Sequence, residues 1–193
     1  MDCVSEFFEQ HVVQCHTTEF ARLLSVSQYF LSCPYVLSPL GDGPLDLFDQ
    51  RPYYRLDAFD CVTYVNMVLA LSLSRDQDEF LQYAAKVNYA SGDLSYASRH
   101  HFVSVDWNTH NQQLGIVKDI TADVLPGLTQ VAHALIDKPR WYRHKKTADL
   151  HLSLLLTPEA MQRRLDQLHA LADQVALVES HLDYVPLDIL LQP

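Results

Sequence analysis

The uncharged run from Cys61 to Leu73, CVTYVNMVLALSL, constrains this chain more than any other feature. It is too apolar to lie open to water and well short of the ~18 residues that span a bilayer. A buried helix answers both conditions, and the rest of the fold has to pack around it. Val62, Val65, Val68, Leu69 and Leu73 fit a broad inward face, with the helix starting near Cys61. No apolar stretch of the 193 residues reaches transmembrane length. At 48% hydrophobic residues the chain can bury a real core, and its length predicts a single domain over 1–193.

The neighbouring segments divide by period. Glu6 to Gln14 and Thr18 to Leu31 read as helices, with Thr17 or Thr18 as the cap of the second, and Asp76 to Val87 reads as another. Between them, Cys33 to Tyr53 is rich in Pro, Gly and Asp, the composition of a long irregular loop that often lines a site. After Asn88 the pattern changes. Gly92-Asp93 marks a turn, and Arg99 to Trp107 alternates His101, Val103, Val105, Trp107 against Phe102, Ser104, Asp106, which predicts a strand. Leu114 to Thr121 is a second strand candidate, joined to the first by a hairpin at NTHNQQ. Ala122 to Ile136 reads as a helix disturbed at Pro126, and Leu150 to Leu156 as a short apolar run. Thr157-Pro158-Glu159 opens a further helix that turns Leu165, Leu168, Ala172 and Val175 inward. The chain closes on YVPLDILLQP, an apolar, strand-like run. The pattern is that of an α+β fold, helical first, with a small antiparallel sheet.

Charge and cysteine content exclude several classes. Twenty-four acidic against 14 basic residues leave a formal charge of -10, which repels a phosphate backbone and argues against nucleic acid as a partner. Cys3, Cys15, Cys33 and Cys61 form no C-x-x-C pair and are too sparse for a disulfide scaffold, so a structural zinc of the finger type is not expected. The first residues, MDCVSEFFEQHVVQ, do not make a signal peptide. The chain is therefore cytosolic, or it begins after an export signal that has been removed.

Three places can carry chemistry. Cys61 follows Asp60, a good N-cap, and a thiol at a helix start meets unpaired amides that favour the thiolate. The Asp60 charge opposes this unless its carboxylate folds back onto those amides. The alternative is a packed structural thiol. His101 shares its predicted strand face with Val103, Val105 and Trp107, and a helix-start Cys facing a strand His is a nucleophile–base arrangement. The alternative is a backbone-bonded core histidine. His100 and His101 point to opposite faces of a strand and do not share a metal. RWYRHKK, Arg140 to Lys146, interleaves cations with aromatics and suits a glycan or anionic polymer, or simply a solvated face anchored by Trp141.

Tyr54 to Val65, YRLDAFDCVTYV, resembles the Cys motif of the N-acetylmuramoyl-L-alanine amidase-like proteins, a branch of the NlpC-type cell-wall hydrolases with a papain-like fold. A second set is similar to theirs: Ser98-Arg99-His100-His101-Phe102, Asp106-Trp107, Asn111 and Asp119-Ile120-Thr121, with Ala70-Leu71 and Glu79-Phe80 between. The resemblance implies a cysteine-dependent hydrolase of peptidoglycan amide bonds, periplasmic or secreted, that needs no cofactor or metal. Cys61 is then the nucleophile, Asp60, Tyr64 and Tyr54 lie near the substrate, and Arg99, His101 and Trp107 build the cleft. The rival is a non-catalytic module that binds muropeptide or glycan.

The chain departs from the family at two points. Asn66 stands where the family has Glu, and none of the ten histidines is followed by x-Gly, the setting of the family's general base. The resemblance therefore implies further C-terminal strands, with His101 as the available substitute base. Without those strands, Val185, Leu187, Ile189 and Leu191 are expected to lie exposed and to promote self-association along that edge.

Overall fold

The structure is a computed structural model that describes residues 3–11, 18–153 and 156–190. The chain forms two compact units, residues 1–99 with 150–155, and residues 100–149 with 156–193. The architecture is mixed: helices dominate, and a two-stranded antiparallel sheet is the only sheet among the described residues.

The first unit holds helices α1 (Cys3–His11), α2 (Glu19–Tyr29), α3 (Cys61–Leu73) and α4 (Gln77–Asn88). Three of them start on the side chains expected of N-caps. Thr18 accepts from the Ala21 amide, Asp60 from Thr63 and Asp76 from Glu79. The first predicted helix begins earlier than expected, at Cys3, and residues 12–17, with Thr17 among them, lie outside the described residues. Helix α3 is the hub. Met67, Ala70 and Leu71 are fully buried and join Phe80 and Ala84 of α4, Val26 of α2, and Val4, Phe7 and Phe8 of α1 in one core. Arg22 of α2 donates to the Leu71 carbonyl at 3.1 Å and to Ser74, so a cation closes the C-terminal end of α3.

The inward face of α3 differs from the expected one. Thr63, Asn66, Met67, Ala70 and Leu71 are buried with Val68, whereas Val65 is 42% exposed and Val62, Leu69 and Leu73 are only half-buried. Asn66 is paired with Asn88 of α4 inside the core. The 33–53 stretch is irregular, as its composition predicted, and Asp46 organises it by accepting from the amides of Phe48 (2.7 Å), Asp49 (2.8 Å) and Tyr96 (3.1 Å).

In the second unit the predicted strand at residues 99–107 is absent. Val103–Trp107 is a turn of π-helix that runs into α5 (Asn108–Gln113). The Asp106 carboxylate accepts from the Phe102 amide at 3.2 Å, while the Phe102 carbonyl accepts from Asp106 and Trp107. A short polar side chain has closed its own turn in place of a ladder. NTHNQQ is thus helix α5, not a hairpin. Residues 114–121 form no strand either: Gly115 takes φ +69° and the Asn111 carbonyl accepts from Ile116 and Val117.

The predicted helix at residues 122–136 is also replaced. Helix α6 (Thr121–Val124) stops before Pro126-Gly127, and the chain becomes strand β1 (Gln130–Asp137). Helix α7 (Lys138–Arg143) follows, and α8 (Pro158–Ala170) begins at Thr157-Pro158 as expected, burying Leu165 and Leu168, with Ala172 buried just beyond it. Strand β2 (Leu177–Tyr184) pairs antiparallel with β1 in a register that sets His133 opposite His181. The closing run bends into a short helix, α9 (Leu187–Leu190), rather than a strand. Leu187 is 68% exposed there, Val185 and Ile189 are half-buried, and Leu191 lies outside the described residues. No described helix is long and apolar enough to cross a membrane.

Candidate active site

Cys61 is the first residue of α3 and is exposed. Asp60 is folded back onto the helix. Its Oδ1 accepts from the Thr63 amide and hydroxyl, both at 2.8 Å, and its own amide donates to Thr63 Oγ1 at 2.9 Å, which completes a capping box. The other oxygen, Oδ2, accepts from the Ser38 amide at 3.0 Å. Both carboxylate oxygens are engaged beside a solvent-facing thiol. Cys33, by contrast, is half-buried, with its sulfur 3.9 Å from the Leu56 carbonyl.

The segment at residues 34–38 runs alongside residues 59–60. The Val36 amide donates to Phe59 at 2.9 Å and the Phe59 amide to Pro34 at 3.1 Å, so Tyr35 and Phe59 form a parallel bridge. Tyr35 (69%) and Leu37 (74%) remain exposed on this ledge.

The other residues read from the sequence are placed as follows. The Tyr64 hydroxyl lies 2.7 Å from Ser27 Oγ and donates to the Ser27 carbonyl at 2.8 Å, tying α3 to α2. Tyr54 lines a cleft of about 350 Å³ with Phe7, Tyr29, Arg55 and Asp57. Arg99 belongs to the first unit and enters a buried charge cluster: its guanidinium lies 3.2 Å from Asp42, 3.1 Å from Asp49, and over the Tyr96 ring at 5.0 Å. Asp49 also takes a two-pronged contact from Arg51, at 2.8 and 2.7 Å. Gly41 makes room for this pair, since a Cβ there would stand 2.3 Å from Asp49 Oδ1.

The two carboxyls of the cluster titrate in opposite directions. Burial, helped by the charges of Asp46 and Asp49 and opposed by Arg99, pushes Asp42 up to about 7. Burial also works to raise Asp49, but the Arg51 hydrogen bonds and the Arg99 charge outweigh it and hold that carboxyl below its usual range. The acidic loop residues Asp42 and Asp49 carried no sequence signal beyond their setting in a Pro/Gly/Asp-rich stretch. Asp42 also lines an apolar-walled cleft of about 530 Å³ with Leu45, Leu47, Phe48, Tyr53 and Tyr96.

His101 and Trp107 belong to the second unit. The His101 ring sits 4.7 Å from Trp141 and 6.2 Å from Tyr142, and Phe102 meets Trp141 edge-on at 5.2 Å. Lys145 lies 3.8 Å above the same indole. The RWYRHKK segment and the His101 motif, read as separate features, are therefore one aromatic cluster. Trp107 is half-buried in the π-helical turn, and its carbonyl accepts from the Asn111 side chain at 3.0 Å. Among the described residues no group of three His, Cys, Asp or Glu is arranged to hold a metal ion.

Comparison with known proteins adds the family. A model described as N-acetylmuramoyl-L-alanine amidase-like matches residues 25–192. A crystal structure of a protein from Legionella pneumophila superposes with a TM-score of 0.89 at 35% identity over 96% of this chain. This chain spans 64% of that protein's length. An N-acetylmuramoyl-L-alanine amidase from Bacteroides uniformis shares the fold at a TM-score of 0.57 and 23% identity, over 84% of this chain and 64% of its own. A Bacteroides fragilis protein provisionally named a xylanase gives 0.53 at 26% identity, over 86% of this chain and 66% of its own. No curated protein matches the chain.

Proposed function

The chain belongs to the N-acetylmuramoyl-L-alanine amidase-like family, and on that premise we propose that it hydrolyses peptidoglycan amide bonds with Cys61 as nucleophile. The observation that carries this reading is an exposed thiol at the first position of α3, next to a carboxylate already engaged on both oxygens. The Cys61 thiolate attacks the carbonyl carbon of the lactyl–L-Ala amide, or of an amide within the stem peptide. The oxyanion that forms is met by backbone amides at the helix start. The C–N bond then breaks, and the amine leaves with a proton supplied by an imidazole that took it from the thiol. Water attacks the thioester, releasing the carboxylate and restoring the thiol.

The imidazole we propose for this step is that of His101, whose ring lies against those of Trp141 and Tyr142. Asp60 and Tyr54 contact substrate. Tyr64 and Arg99, whose polar groups are engaged within the first unit, brace α3 and the loop at residues 40–53. Trp107 supports the His101 segment. Such a substrate puts the reaction in the cell envelope.

The test is Cys61→Ser assayed on disaccharide-peptide fragments of peptidoglycan by chromatography and mass spectrometry. Turnover is expected to fall below detection while the unfolding free energy from urea titration stays within roughly 0.5 kcal/mol of the parent. Hydrolysis retained in Cys61→Ser ends the cysteine mechanism, and hydrolysis retained in His101→Asn moves the base to another residue.

A further inference from the structure

Ser38 has a left-handed backbone, φ +48°, although it is not glycine and although Pro39 follows it. L-residues seldom adopt this region, and a following proline restricts the choice further. A residue held against its own preference is held by its surroundings, and here the bonds can be named. The Ser38 carbonyl accepts from Arg51 Nη1 at 2.6 Å, and Arg51 is itself anchored on Asp49. The Ser38 amide donates to Asp60 Oδ2 at 3.0 Å. One position upstream of Leu37, the Val36–Phe59 bond fixes the same segment to the strand-like approach to α3. Strained residues that the structure over-determines in this way collect at functional sites.

We propose that Ser38 is a positioning residue for the Cys61 thiol, acting through Asp60. The cap alone engages one carboxylate oxygen, Oδ1, on Thr63, and leaves the charge on Oδ2 without a partner one residue from Cys61. The Ser38 amide occupies that second oxygen. A carboxylate free to face the thiol disfavours its ionised form, whereas one neutralised by two amide dipoles does not. The strain at Ser38 aims the amide, and the Asp49–Arg51–Ser38 chain holds the aim. The inference rests on the reading of Cys61 as a nucleophile, but it concerns the reactivity of the thiol and not the identity of the substrate.

The experiment measures alkylation of Cys61 by iodoacetamide at fixed neutral pH in the 193-residue chain, with Cys33 followed in the same digest as the internal reference. Ser38→Pro, whose ring cannot take φ +48°, removes both the amide donor and the backbone conformation that aims it, and is expected to slow Cys61 alkylation about tenfold. Adding Asp60→Asn, which removes the charge, is expected to restore the rate to within about twofold of the parent. Ser38→Gly, which keeps the amide and accepts positive φ, is the conservative rescue and is expected to match the parent.

A general loss of structure would slow neither variant selectively and would not be reversed by Asp60→Asn. If Ser38→Pro does not fold by circular dichroism, Arg51→Gln carries the same test through the carbonyl end, with an expected slowing of about threefold that Asp60→Asn reverses. Unchanged alkylation in the folded variant, or slowing that Asp60→Asn leaves in place, overturns the proposal. A chain that shows this charge-dependent thiol but cleaves no peptidoglycan fragment keeps the positioning role and loses the hydrolase reading.

Discussion

Asp42 and Asp49 stand in one cluster, yet acid and base act on them in opposite ways. Asp42 keeps its proton to about pH 7 in the folded protein and releases it near 3.8 when unfolded, so the unfolded state binds fewer protons across that window. Stability from this group therefore falls as pH rises from about 4 to 7 and is level above. Three pH units at ~1.4 kcal/mol each set an upper bound on the order of 4 kcal/mol. Asp49, held below its usual range, contributes stability at neutral pH that is lost on acidification. Asp42→Asn isolates the first effect: its urea stability minus that of the parent is expected to grow between pH 4 and pH 7 and then stop growing. A difference that stays flat across this window would show that Asp42 does not titrate there. Neither role was legible beforehand. The sequence shows acidic residues in a loop; that both are buried, with Asp49 packed against Gly41 and met by Arg99 fifty residues on, comes only from the folded chain.

The start of α3 was legible because the cap and the hydroxyl it exchanges bonds with, Asp60 and Thr63, are three residues apart in sequence. Thr63→Val breaks one half of this box, and its expected cost is about 1 kcal/mol in urea unfolding, with Cys61 still exposed. The buried face of the same helix was not legible. Apolar residues surround α3 on nearly every side, so periodicity cannot choose a face, and the choice falls to where α2 and α4 pack. The second unit misled for a related reason. Alternation over 99–107 fits a strand, but Asp106 satisfies the Phe102 amide locally, and a local bond forms without waiting for a partner strand. In 130–137, QVAHALID, two alanines gave a strand the look of a helix; what makes it a strand is β2, which begins forty residues after β1 ends. The surroundings of Cys61 divided the same way: the Asp60 cap was readable from adjacent residues, whereas Ser38 and Arg51 reach it across the chain and carried no signal.

Burial across the whole molecule is uneven. Met67, Leu71 and Phe80 are wholly excluded from solvent in the first unit, whereas β1 is open along nearly its full length and Ser180 is the buried residue of β2. Hydrogen exchange is expected to reflect this, with the slowest amides in α3 and α4 and markedly faster exchange in the β1–β2 ribbon. Uniform protection in a mass-spectrometric exchange experiment would contradict it. The first unit also recruits a late piece of chain. The Gln50 amide donates to the His151 carbonyl at 2.7 Å, and the Gln50 side chain accepts from Ser153, 103 residues further on. During synthesis the loop at residues 40–53 is among the early parts of that unit to leave the ribosome, but its last bonds wait until Ser153 has emerged. For the hundred residues synthesised between Tyr53 and Ser153, then, the loop that carries Asp42, Asp49 and Arg51 lacks these last fastenings, and the nascent chain must keep its apolar lining, Leu45, Leu47 and Phe48, from finding another partner first.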